Sequence, residues 1–587
     1  MHQRSALLLL LPSLACAPRI RAQQIGTAAV DGLLADVGQC NTTASFERSI
    51  AAGTPVAHLP QVTRGAWESE STCWRAVTTK VTTIPTTGLS AEQRLTLSVV
   101  RWEAGMQQDR APHWWVDFSS ITPYASPIGY LARTIAAFPL RAPVDTVVPL
   151  RLLHEMPALI DSIRAGIEQR ASHGIRLSKA ALPASVTLLR AFAAPGATNP
   201  FAVAPARAAA LDDATRAAFI ASAAHIVSNS ITPAVDRLVT LLSGDYAAQA
   251  PDRVGLSQYP GGAAYYAWLV RWHTTLNSTP EAVHAIGVAE VARIDSEMAT
   301  VRAQVGFQGT KAQFHAQLAS DPRLFAKTPD EVGARLMMYA NRLAPLLDRA
   351  FSTWPRARGD VRRLPPALEP SMTFGYYQEP TVADSMGHYL YNGTKLSERT
   401  LLTAAPLIAH ELWPGHHFQI GLMRENTDLP AYRKGYYTAY GEGWGDYASI
   451  VAGELGLYAD PMDHYGRLAM DMFLSCRLVV DTGMNALGWS RERAMAYMRD
   501  HELESDTQIA SESLRYSTDI PGQALAYKMG SNEFMRLRTR AQKALGNAYD
   551  IRAYHDQVLR SGMLPMTVLG EKIDAWIATA RASRPSR

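Results

Sequence analysis

The part of this chain best equipped for chemistry is His410-Glu411-Leu412-Trp413-Pro414-Gly415-His416-His417. About 25 residues further on comes Gly441-Glu442-Gly443-Trp444-Gly445-Asp446-Tyr447. A zinc hydrolase needs neutral imidazoles and a carboxylate as ligands, an open position for water, and a nearby carboxylate to take that water's proton. In the usual HExxH helix, two histidines four residues apart share a face. Here the fourth position after His410 is Pro414, so that spacing fails. His416 lies ~240° round a regular helix and ~9 Å along it, and His417 returns to the same face but ~10.5 Å along. Pro414 removes a backbone hydrogen bond and Gly415 permits unusual dihedrals, which predicts a break that could carry His416 back beside His410. The expected ligands of Zn2+ are therefore His410, His416 and Glu442, with His417 as the alternate. Glu411 is the expected general base, and Asp446, one turn after Glu442, could orient a ligand histidine from behind. His154-Glu155 and His501-Glu502 have no second histidine close behind, so a His-Glu pair alone signifies little.

The elements that must hold these residues read as mainly helical. Ser90 and Gln93 form a capping box ahead of Leu95, Val99, Trp102 and Met106 at helical spacing. Thr279-Pro280-Glu281 and Thr328-Pro329-Asp330 each supply a cap, a proline at the first position and an acid in the first turn. The first of these continues through Val291, Ile294, Met298, Val301 and Val305 to a stop at Gly306, a stripe expected to pack on another helix. Thr78 to Thr83 and Met372 to Tyr377 are the best strand candidates. Soft boundaries fall at Pro195–Pro205 and Trp354–Pro370. They suggest an N-terminal helical region over 23–355 and a catalytic region over 356–587, with a cleft between the halves.

With 587 residues, 47% hydrophobic and 19% charged, the chain can bury a large core and is not disordered. A formal net charge of +4 gives no reason to expect a nucleic-acid partner, and the basic end, Arg581, Arg584 and Arg587, reads as solvated. Arg4, the apolar run Ala6 to Leu11 and the small residues before Gln23 describe a secretory signal over residues 1–22, cut after Ala22. Lipidation of Cys16 behind Ser13-Leu14-Ala15 is the rival. No other stretch approaches ~18 uninterrupted apolar residues, so no transmembrane segment is expected. The mature protein is expected to be exported, periplasmic or extracellular. There Cys40 and Cys73 are a plausible disulfide and Cys476 a buried thiol.

Taken together, HELWPGHHFQ and YGEGWGDYAS resemble the bacterial family of unknown function numbered 885, grouped with thermolysin-like zinc metallopeptidases. Further blocks carry the resemblance, among them Tyr265-Tyr266-Ala267-Trp268, Gly375-Tyr376-Tyr377, Arg477 to Gly483, Gly488-Trp489-Ser490 and Pro521 to Lys528. It implies a helical, metallopeptidase-like fold and a zinc-dependent hydrolase of peptide or related amide bonds. The family pattern usually has histidine where Asn485 stands and apolar residues where Gly445-Asp446 stand. Independently of the resemblance, Arg515, Tyr516, Gln523, Tyr527 and Lys528 gather hydrogen-bond donors in a short span. A buried arginine can hold a substrate carboxylate and the Tyr527 hydroxyl an oxyanion. Alternatively, Arg515 and Lys528 form structural ion pairs, with Glu512 and Asp519 as candidates. His388 and His555 are read as structural. Two other functions stay open: a metal-stabilised periplasmic binding or scaffold protein, and an amidase acting on non-peptide substrates.

Overall fold

The computed structural model describes residues 16–366, 369, 375–381 and 384–582. Arg4, the apolar run, residues 372–374 of the second strand candidate, Arg584 and Arg587 lie outside that set. The described chain is mainly α-helical, as its periodicity predicts.

Contacts group it into two compact units, one of residues 1–45 and 65–111, the other of 46–64 and 112–587. The boundary expected near residue 355 falls inside the larger unit. In the smaller unit the predicted pair Cys40–Cys73 is a disulfide with a Cα–Cα distance of 5.4 Å, joining helix Cys16–Cys40 to helix Arg64–Thr83. Thr78–Thr83 is the end of that second helix and not a strand. Trp67, Ser71, Trp74, Val77 and Val81 form a buried stripe at helical spacing. The threonines that favour a strand locally instead turn their hydroxyls onto the helix's own carbonyls, Thr78 to Trp74 (3.0 Å), Thr79 to Arg75 (3.1 Å) and Thr82 to Thr79 (2.7 Å). Burial of one face thus overrides intrinsic preference. The Ser90–Gln93 capping box opens helix Ala91–Gln107 with both reciprocal bonds made.

In the larger unit, Thr279 and Thr328 cap helices Pro280–Gln304 and Pro329–Leu343. The first lies along helix Pro461–Asn485. Val291, Ile294, Met298 and Val301 pack there with Met472, Cys476 and Val479, while Val305 is exposed beyond the seam. Helix Thr438–Glu454 lies along helix Leu525–Leu545 and beside helix Ala404–Glu411. A three-stranded sheet of order β1-β3-β2 lies against helix Pro329–Leu343, with β1 (Gly359–Arg363) parallel and β2 (Tyr376–Gln378) antiparallel to β3 (Gly387–Tyr391). β2 includes Tyr376 and Tyr377 of the second strand candidate. One helical run, Asp213–Ala248, is long and apolar enough to match a bilayer over an 18-residue window. It is built into this unit, its Thr232–Ser243 stretch packing on helices Val147–Ser172 and Leu182–Ala193.

Candidate metal centre

Helix Ala404–Glu411 ends at the expected break. Leu412 leaves helical geometry (φ −105°, ψ −87°), Pro414 and Gly415 reverse the chain, and helix His416–Glu425 starts at once. Gly415 is required by close approach: a Cβ there would lie 1.8 Å from the His410 carbonyl oxygen. The reversal sets the imidazoles of His410 and His416 edge to face, with centroids 4.7 Å apart.

Glu442 reaches both from helix Thr438–Glu454. Its Oε2 is 3.6 Å from His410 Nε2 and 3.3 Å from His416 Nε2, and the three donor atoms lie within 4.8 Å of one another. Gly445, one turn on, lets the His410 ring lie flat against the helix, since a Cβ there would come within 2.6 Å of ring carbon Cε1. Among the described residues this is the only cluster of three His, Cys, Asp or Glu side chains so arranged.

The donor set fits zinc. With metal–ligand bonds of about 2.0–2.1 Å, tetrahedral geometry places ligand atoms ~3.3–3.4 Å apart, close to the two observed separations. Three lone-pair-bearing atoms converging out of water repel unless a cation or a shared proton lies among them. Burial works against ionisation of Glu442, yet hydrogen bonding and charge from His410 and His416 hold its carboxyl well below the usual range. Burial likewise disfavours a charged His416, but Glu442 overcomes it and raises the imidazole. The pocket therefore demands positive charge. The Nδ1 atoms of His410 and His416 are buried and have no hydrogen-bond partner.

Glu411 ends its helix beside the ligands and is partly exposed. Withdrawal from water raises its carboxyl above the ordinary range, against the pull of His416 and His410. Tyr527 packs its ring nearly parallel to His410, with centroids 6.1 Å apart. Burial and the Glu442 charge raise its phenol, against Arg515 and Arg477. The expectation about this region missed Tyr436, whose hydroxyl donates to Glu442 Oε1 (3.0 Å) from a half-exposed ring. Nothing local distinguishes Tyr436 from Tyr437 in the sequence, because the bond depends on how the loop enters the Glu442 helix.

Several expected residues stand elsewhere. His417, the alternate ligand, is fully buried with both ring nitrogens committed: Nε2 donates to the Ala357 carbonyl (3.0 Å) and Nδ1 accepts from Tyr377 (3.0 Å). It anchors the break to the sheet. Asp446 accepts from Arg467 (3.2 Å) and makes no hydrogen bond to a ligand histidine. Lys528 is not open to substrate, being buried between Asp471 (2.5 Å) and Glu290 (3.1 Å), so it forms an ion pair but not with Glu512 or Asp519. Tyr516 is fully buried, donating to Glu512 and accepting from Arg477 Nε (2.9 Å). Arg515 bonds Glu512 (3.3 Å) and the half-buried Gln523 (2.7 Å). Asn485 is fully buried, donating to the Asp481 and Tyr516 carbonyls and accepting from the Leu256 amide (3.1 Å), so it ties a helix end and touches no cleft. His388 is held by Asp360 and Asp384, and His555 by Tyr447 and the Ala350 carbonyl.

Two solved structures share the fold. A candidate lipoprotein from Colwellia psychrerythraea is 24% identical with a TM-score of 0.84, the match covering 94% of this chain and 99% of that one. A candidate lipoprotein of unknown function from Shewanella oneidensis is 18% identical with a TM-score of 0.68, covering 93% and 99%. No curated protein matches the chain. Residues 47–573 match one family throughout, and the chain belongs to it: the bacterial proteins of unknown function DUF885.

Proposed function

We propose that this protein is an exported zinc-dependent hydrolase that cleaves peptide bonds. The observation that carries the reading is the convergence of His410 Nε2, His416 Nε2 and Glu442 Oε2, with Glu411 adjacent but not among the converging atoms. Bound zinc would supply Lewis-acid polarisation of a water and of the substrate carbonyl. Glu411, whose carboxyl burial raises above the ordinary range, removes the proton from the attacking water and returns it to the leaving amine. Tyr527 supplies a hydroxyl to the carbonyl oxygen as charge develops on it. Tyr436 fixes one Glu442 oxygen so that the other faces the histidines. Binding or scaffolding alone would have no use for Glu411 in that place. Export is supported by the signal-like first residues, by the Cys40–Cys73 disulfide, and by the lipoprotein descriptions of the two fold relatives. A lipid at Cys16 is the alternative to cleavage after Ala22.

The test is metal analysis of the purified mature protein, followed by digestion of a peptide library read by mass spectrometry with and without chelator. About one zinc per chain and chelator-sensitive cleavage are expected. Absence of metal after zinc supplementation, or cleavage indifferent to chelator, overturns the reading. Cleavage confined to non-peptide amides would make it an amidase.

A further inference from the structure

Beside the metal centre two arginines share one carboxylate. Arg477 Nη2 and Arg515 Nη1 lie 3.1 and 3.3 Å from oxygens of Glu512. Burial opposes ionisation of Glu512, but Arg515 and Arg477 hold it below the usual range. The other acids nearby do not balance the second guanidinium. Burial lifts Asp519, Glu504 and Asp481 to about 7 and Glu502 further still. The cluster therefore has two cations against one firmly ionised acid.

Arg477 lies over the Tyr527 ring at 4.7 Å, and Arg515 is the less buried of the two. It opens the π-helical turn Arg515–Asp519 and is 9% exposed. Of its five N–H donors, one goes to Glu512 and one to Gln523, and Nε is buried without a partner. Tyr124, itself 50% exposed, lies over the guanidinium at 5.3 Å. Tyr527, whose phenol feels the Arg515 charge, packs its ring on His410. One phenol thus separates the cation from a metal ligand, a gap that one or two residues at ~3.3–3.6 Å each would bridge.

Resting on the hydrolase reading, we propose that Arg515, with Gln523 and Tyr124, binds the α-carboxylate of a peptide whose C-terminus lies one or two residues beyond the scissile bond. The substrates are then short peptides or peptide C-termini. A planar carboxylate accepts from the unused N–H groups on the Nε edge, an arrangement that lysine cannot reproduce.

The experiment compares three versions of one peptide cleaved by the library digest: free acid, C-terminal amide, and an amide ending in Glu. Wild type should cleave the free acid ~10–100-fold better in kcat/KM than either amide, with the difference mainly in KM, as expected for a charge-assisted bond of that strength. Arg515→Lys should lose that preference, its kcat/KM for the free acid falling ~10–100-fold, mainly through KM. Equal cleavage of acid and amide overturns this inference and leaves the hydrolase reading standing. Cleavage of the Glu-ending amide as fast as the free acid overturns the terminal source of the carboxylate. If nothing is cleaved, the hydrolase reading fails, and calorimetry on Glu411→Gln protein decides the rest. Tighter binding of acid than amide supports the Arg515 site, and equal binding overturns it.

Discussion

Helix Thr438–Glu454 carries two acids one turn apart with opposite surroundings. Glu442 meets two imidazoles and a tyrosine hydroxyl and, among the described residues, no arginine or lysine. Asp446 meets Arg467, within a buried network that continues through Asp471, Lys528, Glu290 and Arg293. The second region balances its acids with its own cations, so its charges fix four helices, with Arg293 at its exposed end. The first gathers electron pairs without a resident cation. In a buried setting a self-neutralised cluster is structural, whereas an acid and two bases left short of positive charge make a binding site.

The contrast can be broken most severely at Glu442. Glu442→Ala should abolish zinc retention and all chelator-sensitive activity, measured by metal content after dialysis. Full zinc occupancy in that variant would show that the two acids are not so different. Glu411→Gln should keep the metal and lose ~10²–10⁴-fold in kcat, since it removes the basic oxygen and no ligand. Unchanged turnover would remove Glu411 from the mechanism. On the structural side, Lys528→Met strands Asp471 among fewer cations and should cost roughly 3–5 kcal/mol in denaturant unfolding, with zinc stoichiometry intact. Loss of metal without loss of stability would mean that the network tunes the site directly. The finest distinction is Tyr436→Phe, which should weaken zinc affinity about tenfold, the scale seen when a partner of a metal ligand is lost. A variant that binds zinc as wild type does would reduce Tyr436 to a cleft wall.

Much of the first region was legible because its signals are local. Pro414 and Gly415 announce a break, the break chooses His416, and Glu442 is flanked by the glycines its close packing needs. The same local reasoning failed at Thr78–Thr83, where strand preference yielded to a buried stripe. It could not tell that His417 would be consumed by Ala357 and Tyr377, since those partners arrive from a sheet 40 and 60 residues earlier. Lys528 was misplaced for the same reason: Asp471 is 57 residues away and on another helix. The capped helices and the Cys40–Cys73 pair were readable because few alternatives compete with them.

The flat seat of His410 on Gly445 links two stretches of sequence that lie 35 positions apart. A methyl group at 445 would strike the ring itself, so in this chain the placing of His410 depends on a side chain that is missing. Gly445→Ala should push the His410 ring off its seat and weaken zinc retention, which metal content after dialysis reads directly.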